Sequence, residues 1–265
     1  MPTMEHELEV ARGAAKAAGQ VLMRYYGSNY RVAEKSADNP VTVADLESNE
    51  VLKSTILGAF PDDGWLSEET VDSAERLTQK RVWIIDPLDG TKEFIGEIPE
   101  FCVCIALVED GTPRVAVEYN PVHDELFWAS KGGGTMLNGS PVHVSKQNDL
   151  RHASVLASRS EEARGEWEPF QSLMKVELQG SVAYKFALVA AGRHDSTFTL
   201  TPKNEWDVCA GALLVAEAGG TVTDPDGRAI RFNNRDTLLP GLIASNQVLH
   251  RQILNTIRVV RASME

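Results

Sequence analysis

The sequence predicts an α+β chain in which residues 1–150 build helices on an antiparallel sheet and residues 151–265 form a smaller α/β half. Two observations predict this class. Between residues 82 and 142, runs of β-branched and aromatic residues are separated by short turn signals, the mark of a meander. Beyond residue 150, extended and helical segments alternate. Hydrophobic residues make up 43% of the 265 and charged residues 24%, enough apolar surface for a full core.

The elements follow in order. Leu8, Ala11, Ala15, Ala18, Val21, Leu22 and Tyr25 recur every three or four positions, so residues 7–26 read as an amphipathic helix closed by Gly27. A polar stretch, residues 28–39, leads into an extended piece at 40–45. Leu46, Asn49, Leu52, Ile56 and Phe60 then mark a second helix stopped by Pro61. After a loop around Leu66-Ser67-Glu68-Glu69, strands are expected at 82–85, 101–108, 114–119 and 125–129. Gly111-Thr112-Pro113, Asn120-Pro121 and Asn138-Gly139 supply the turns. In the second half, 153–157, 197–200 and 242–244 read as extended, and 161–174, 181–191, 206–218 and 247–260 as helical.

Charge and cysteine usage narrow the function. Twenty-six lysines and arginines oppose 38 aspartates and glutamates, a formal net charge of −12 that repels a nucleic-acid polymer. The longest apolar run, 102–108, is far shorter than the ~20 residues of a membrane-spanning helix. The acidic N-terminus lacks the basic and apolar regions of a secretory signal, so a cytoplasmic protein is expected. Cys102, Cys104 and Cys209 are too few for a disulfide framework and read as reduced, buried thiols. Cys102 and Cys104 lack the second pair that a zinc site needs, and the six histidines have no metal spacing.

The most informative stretch is Val82-Trp83-Ile84-Ile85-Asp86-Pro87-Leu88-Asp89-Gly90-Thr91-Lys92-Glu93-Phe94. A buried strand runs into two aspartates, and Pro87 stops the strand so that both carboxylates turn to one side. Two such carboxylates repel unless a cation lies between them. Gly90 permits close approach of a ligand, and Thr91 stands where a helix would begin, with N–H groups suited to an anion. Taken alone, Asp-Pro and Asp-Gly are common turn dipeptides.

The full string, however, resembles the metal-binding signature of the inositol monophosphatase superfamily. Three further segments match that family in order: Pro40-Val41-Thr42-Val43-Ala44-Asp45, Leu66-Ser67-Glu68-Glu69, and Glu205-Trp206-Asp207-Val208-Cys209-Ala210-Gly211-Ala212. Within the superfamily, Lys92-Glu93-Phe94-Ile95, Leu88 and Leu66-Ser67 are closer to the 3′(2′),5′-bisphosphate nucleotidases. The resemblance implies a layered αβαβα sugar-phosphatase fold, in which Glu68, Asp86, Asp89, Asp207 and the Leu88 carbonyl bind two to three Mg²⁺ ions and Li⁺ inhibits. It further implies that Asp45 and Thr91, with Glu68, orient an attacking water on a phosphomonoester. Asp45 and Asp207 could also serve as helix caps, and Glu68-Glu69 as a solvated acidic loop.

The implied substrate is a small phosphate ester, 3′-phosphoadenosine 5′-phosphate first, inositol 1-phosphate second and fructose 1,6-bisphosphate third. Asp89, Gly90, Thr91 and Asp207 would touch the ester, and Ser181 and Lys185 the remainder of the substrate. Lys185 reads equally as a surface lysine with an exposed tip. Leu200 falls where inositol phosphatases place a glutamate for inositol hydroxyls. The resemblance leaves monomer and homodimer both open, and a catalytically silent Mg²⁺- or phosphate-binding scaffold is the rival of another class.

Overall fold

The computed structural model describes residues 4–36 and 39–264; residues 37 and 38 of the polar stretch lie outside the described residues. Helices α1 (Glu5–Tyr25) and α2 (Val43–Ala59) pack together, linked by a hairpin of β1 (Val32–Ser36) and β2 (Asn39–Thr42). Ala11, Ala15, Leu22, Leu52 and Ile56 form the buried stripe of the two helices. Full burial of each leucine or isoleucine contributes about 1.5–3 kcal/mol.

That stripe covers one face of a seven-stranded sheet, ordered β3 (Gly64–Ser67), β4 (Arg81–Asp89), β5 (Cys102–Glu109), β6 (Thr112–Asn120), β7 (Glu125–Ser130), β8 (Thr135–Leu137) and β9 (Ser140–Val142). β3 runs parallel to β4, and the remaining neighbours are antiparallel. Alternation divides β5 between two cores: Val103, Ile105 and Leu107 face the α1–α2 layer, while Cys102, Cys104, Ala106 and Val108 face the opposite one. A one-turn helix, α3 (Thr91–Ile95), follows β4 directly.

The second sheet comprises β10 (Ser154–Ala157), β11 (Lys175–Leu178), β12 (Ser196–Thr199), β14 (Gly220–Thr223) and β16 (Leu242–Asn246), in the order β11-β10-β12-β16-β14. A two-residue ladder joins β13 (Lys203–Asn204) to β15 (Leu238–Leu239). A short helix, α4 (Arg159–Ala163), follows β10. Helices α5 (Val182–Ala190) and α6 (Glu205–Glu217) fill the space between the sheets, and α7 (Gln247–Met264) covers the outer face of the second one. The layers therefore run αβαβα.

Three expectations are corrected. Residues 161–174 are not one helix: α4 ends at Ala163 because Gly165 takes φ +77, and turns follow. Trp167, Phe170 and Met174 still bury in the outer core, so helix-like spacing here reflects burial alone. Pro87 does not stop the strand. Pairing with β5 passes from Asp86–Cys104 to Asp89–Cys102, so two residues of β4 bulge out at Pro87-Leu88. The segment read as a loop at Leu66-Ser67 is the end of β3, a short strand paired parallel to β4.

Candidate active site

Local chemistry at the end of β4 sets the geometry. The Asp86 carboxylate accepts a hydrogen bond from the Leu88 N–H at 2.9 Å, which folds the bulge back on itself. Ser48 of α2 donates to the Pro87 carbonyl at 2.9 Å and ties the bulge to the helical layer. Gly90 takes φ +100, and a Cβ there would lie 2.9 Å from the Glu100 carbonyl oxygen; only glycine fits this turn into α3.

These constraints open a cleft of about 570 Å³ whose lining includes Glu68, Asp86, Leu88, Asp89, Gly90, Thr91, Ser181, Lys185 and Asp207. Glu68 follows the end of β3, β4 delivers Asp86 and Asp89, and the first turn of α6 delivers Asp207. Carboxylate oxygens of Glu68, Asp86 and Asp207 lie within 4.8 Å of one another. Asp89 stands beside this trio but turns one oxygen toward α5, accepting from the Ser181 hydroxyl at 2.5 Å and the Ala183 N–H at 2.7 Å. Burial, then the charges of Glu68, Asp89 and Asp207, pushes the Asp86 carboxyl well above its ordinary range. Desolvation and the charges of Asp89 and Glu68 do the same to Asp207, which also accepts from the Asn204 N–H at 3.2 Å as a helix cap.

Asp45 is 1% exposed and has two sets of partners. Its Oδ2 accepts from the Thr42 N–H at 2.8 Å and the Thr42 hydroxyl at 2.7 Å, closing a capping box on α2. Its Oδ1 lies 3.1 Å from the Thr91 hydroxyl, which is also 3.2 Å from the Leu88 carbonyl oxygen. Burial outweighs these bonds and raises the Asp45 carboxyl. The helix cap and the contact with Thr91 thus coexist in one side chain.

Lys185 is 3% exposed, so it is not a surface lysine. Burial lowers its pKa against the opposing pull of Glu161. Leu200 lines a separate, mostly apolar cavity with Trp167, Pro169 and Phe198, away from the cleft. Sequence reading missed Lys35, whose ammonium donates to Glu68 at 2.6 Å and Glu69 at 2.7 Å. The burial cost to this ammonium is exceeded by the two carboxylates, and its pKa rises. Also missed was Lys203, which lines the cleft and pairs with the buried Glu161 at 3.0 Å. Neither lysine stands in a motif; each acquires its partner from a segment more than 30 residues away.

The ligand atoms gathered together on the cleft floor, those of Glu68, Asp86 and Asp207, are carboxylate oxygens, a set that fits a hard divalent cation. No helix among the described residues is long and apolar enough to cross a membrane.

Comparison with known proteins identifies the family. Residues 3–262 match the model of the inositol monophosphatase family. Inositol monophosphatase 2 of Solanum lycopersicum is 34% identical over 236 residues, covering 84% of this chain and 89% of the relative. A fructose-1,6-bisphosphatase/inositol-1-monophosphatase of Aquifex aeolicus is 33% identical over 267 residues, covering 96% of both chains. Among solved structures, the inositol monophosphatase of Anabaena superposes with a TM-score of 0.83 at 32% identity over 96% of each chain. A family model matched over nearly the whole length, with relatives above 30% identity on the same layered frame, means that the chain belongs to the inositol monophosphatase family.

Proposed function

We propose that the chain is a Mg²⁺-dependent phosphomonoesterase that hydrolyses a small phosphorylated metabolite, with inositol 1-phosphate as the preferred ester. The observation that carries the reading is the convergence of Glu68, Asp86 and Asp207 beside the Asp45–Thr91 pair in one cleft. Glu68, Asp86, Asp89, Asp207 and the Leu88 carbonyl would hold two to three Mg²⁺ ions. When bound, Mg²⁺ supplies charge neutralisation for the phosphate and lowers the pKa of a coordinated water. Asp45 fixes the Thr91 hydroxyl, and this pair orients the attacking water and accepts its proton. Gly90 and Thr91 line the cleft at the start of α3, where their N–H groups would face phosphate oxygens.

Relatives named inositol monophosphatases support the choice of ester. One observation favours a second reading, 3′-phosphoadenosine 5′-phosphate: Lys185 and Lys203 border the cleft, while Leu200, aligned with the inositol-binding glutamate, does not. Most metal ligands would then come from residues 1–150, and Asp207 and the substrate-contacting Ser181 and Lys185 from 151–265. The three cysteines are free thiols, in keeping with a cytoplasmic setting, and we take the assembly to be a monomer or homodimer.

The test is phosphate release from both esters side by side with Mg²⁺, with EDTA and with Li⁺. Mg²⁺-dependent, Li⁺-inhibited release that favours the inositol ester is expected. Preference for the nucleotide would move the assignment to the second reading, and release unchanged by EDTA would remove the metal.

A further inference from the structure

Ser181, the N-cap residue of α5, has φ +58 and ψ 126 and is 7% exposed. A positive φ sets the Cβ of a non-glycine residue against its own backbone, and this ψ lies outside the left-handed helical well as well. Of the non-glycine residues with positive φ among the described residues, Ser181 is the one that lines the cleft. A side chain keeps such a conformation only when its surroundings fix the chain on both sides of it.

Both sides are fixed here, each by a carboxylate. Before Ser181, the Gly180 N–H donates to Glu100 at 2.6 Å. Glu100 precedes β5 and is itself held by Arg159 of α4, whose guanidinium meets both of its oxygens. Glu93 packs against the same turn, since a Cβ on Gly180 would lie 2.3 Å from the Glu93 Cγ. After Ser181, the Ala183 N–H and the Ser181 hydroxyl both donate to Asp89 Oδ2. The hydroxyl oxygen in turn accepts from the Tyr184 N–H at 2.9 Å, so its direction is set twice over.

We propose that Ser181 is a positioning residue for the cleft floor: clamped between Glu100 and Asp89, it holds Asp89 Oδ2 toward α5 and leaves Oδ1 as the oxygen offered to Mg²⁺. The role stands beside the substrate contact proposed above, and it rests on the reading of Asp89 as a Mg²⁺ ligand. A carboxylate free to swing loses that freedom when it takes a cation, whereas one already oriented by its neighbours loses little. The clamp supplies the stiffness, because a relaxed turn at 180–181 would let the hydroxyl leave Asp89.

The experiment measures Mg²⁺ binding by isothermal titration calorimetry without substrate, and thermal melting in EDTA, for the full chain and for Ser181→Gly, Ser181→Ala and Glu100→Ala. Both Ser181 variants lose the hydroxyl, so Mg²⁺ affinity should fall roughly tenfold or more in each, the usual cost of removing a group that orients a metal ligand. Their stabilities should differ. Glycine adopts the φ of +58 freely and alanine does not, so Ser181→Gly should melt about 2–5 °C above Ser181→Ala. Glu100→Ala should weaken Mg²⁺ binding several-fold by itself and add nothing in a Ser181→Gly background, where the clamp has no hydroxyl to aim.

A merely structural serine would shift the melt and leave Mg²⁺ affinity alone, so unchanged affinity in both Ser181 variants would overturn the role. Melting of Ser181→Ala at or above Ser181→Gly would overturn the strain, whereas an alanine variant that fails to fold beside a folded glycine variant supports it. Equal effects of Glu100→Ala in the two backgrounds would remove Glu100 from the clamp. If the unmodified chain binds no Mg²⁺, the metal reading of the cleft fails and this role fails with it. Binding by the unmodified chain that the Ser181 variants keep in full sinks the positioning role alone.

Discussion

Asp45 holds a helix cap with one oxygen and the Thr91 hydroxyl with the other, so substitution separates two free energies. Asp45→Asn keeps the size and loses the charge. The expected outcome is a stability change of about 1 kcal/mol, read by urea unfolding, with a fall in kcat of roughly 100-fold or more. A rate within a few-fold of the unmodified chain would leave Asp45 as a cap only. Residues of this kind were legible in the sequence because Asp86 to Thr91 act through contiguous backbone: a proline, a bulge and a glycine aim the side chains locally. Lys35 and Glu118 were not legible. Glu118 sits in an apolar run where a charged residue reads as the outward face of a strand, but this sheet buries both faces, so it points into a core.

Helices α5 and α6 are the elements that bring Ser181, Lys185 and Asp207 to the cleft, and their closeness depends on one small residue. A Cβ at Gly211 would lie 2.4 Å from the Phe186 Cβ. Gly211→Ala therefore forces the helices apart, and we expect a loss of about 1–3 kcal/mol in unfolding free energy together with a raised KM, since Lys185 precedes Phe186. Unchanged melting would show that the contact yields without cost. Periodicity located α1, α2, α5, α6 and α7, each long enough to repeat its apolar spacing. It failed at 161–174, where Trp167 and Phe170 are buried from a chain of turns. β3 was also missed, because four residues carry too little alternation to stand out from a loop.

Over the whole molecule, a chain of net charge −12 folds with several carboxylates crowded on one cleft floor. Beyond burial, the charges of Glu68, Asp89 and Asp207 raise the proton affinity of Asp86, and those of Asp89 and Glu68 raise that of Asp207, so the metal-free protein stores repulsion there. Mg²⁺ should stabilise it by about 2.7 kcal/mol at ~100 times its Kd, a rise in Tm of roughly 5–10 °C for a chain of this size. Asp86→Asn should raise the metal-free Tm and remove most of the Mg²⁺ response, as measured by thermal melts with and without EDTA. A Mg²⁺ response retained in full would exclude Asp86 as a ligand. The sequence by itself determined the class of fold, the meander and the motif residues of the cleft, because hydrophobic period and turn chemistry are local properties. Only the tertiary structure decided that Lys35 bridges two glutamates and that Lys185 and Glu118 are buried. Strand register and helix packing join residues tens of positions apart, and no local spacing encodes that pairing.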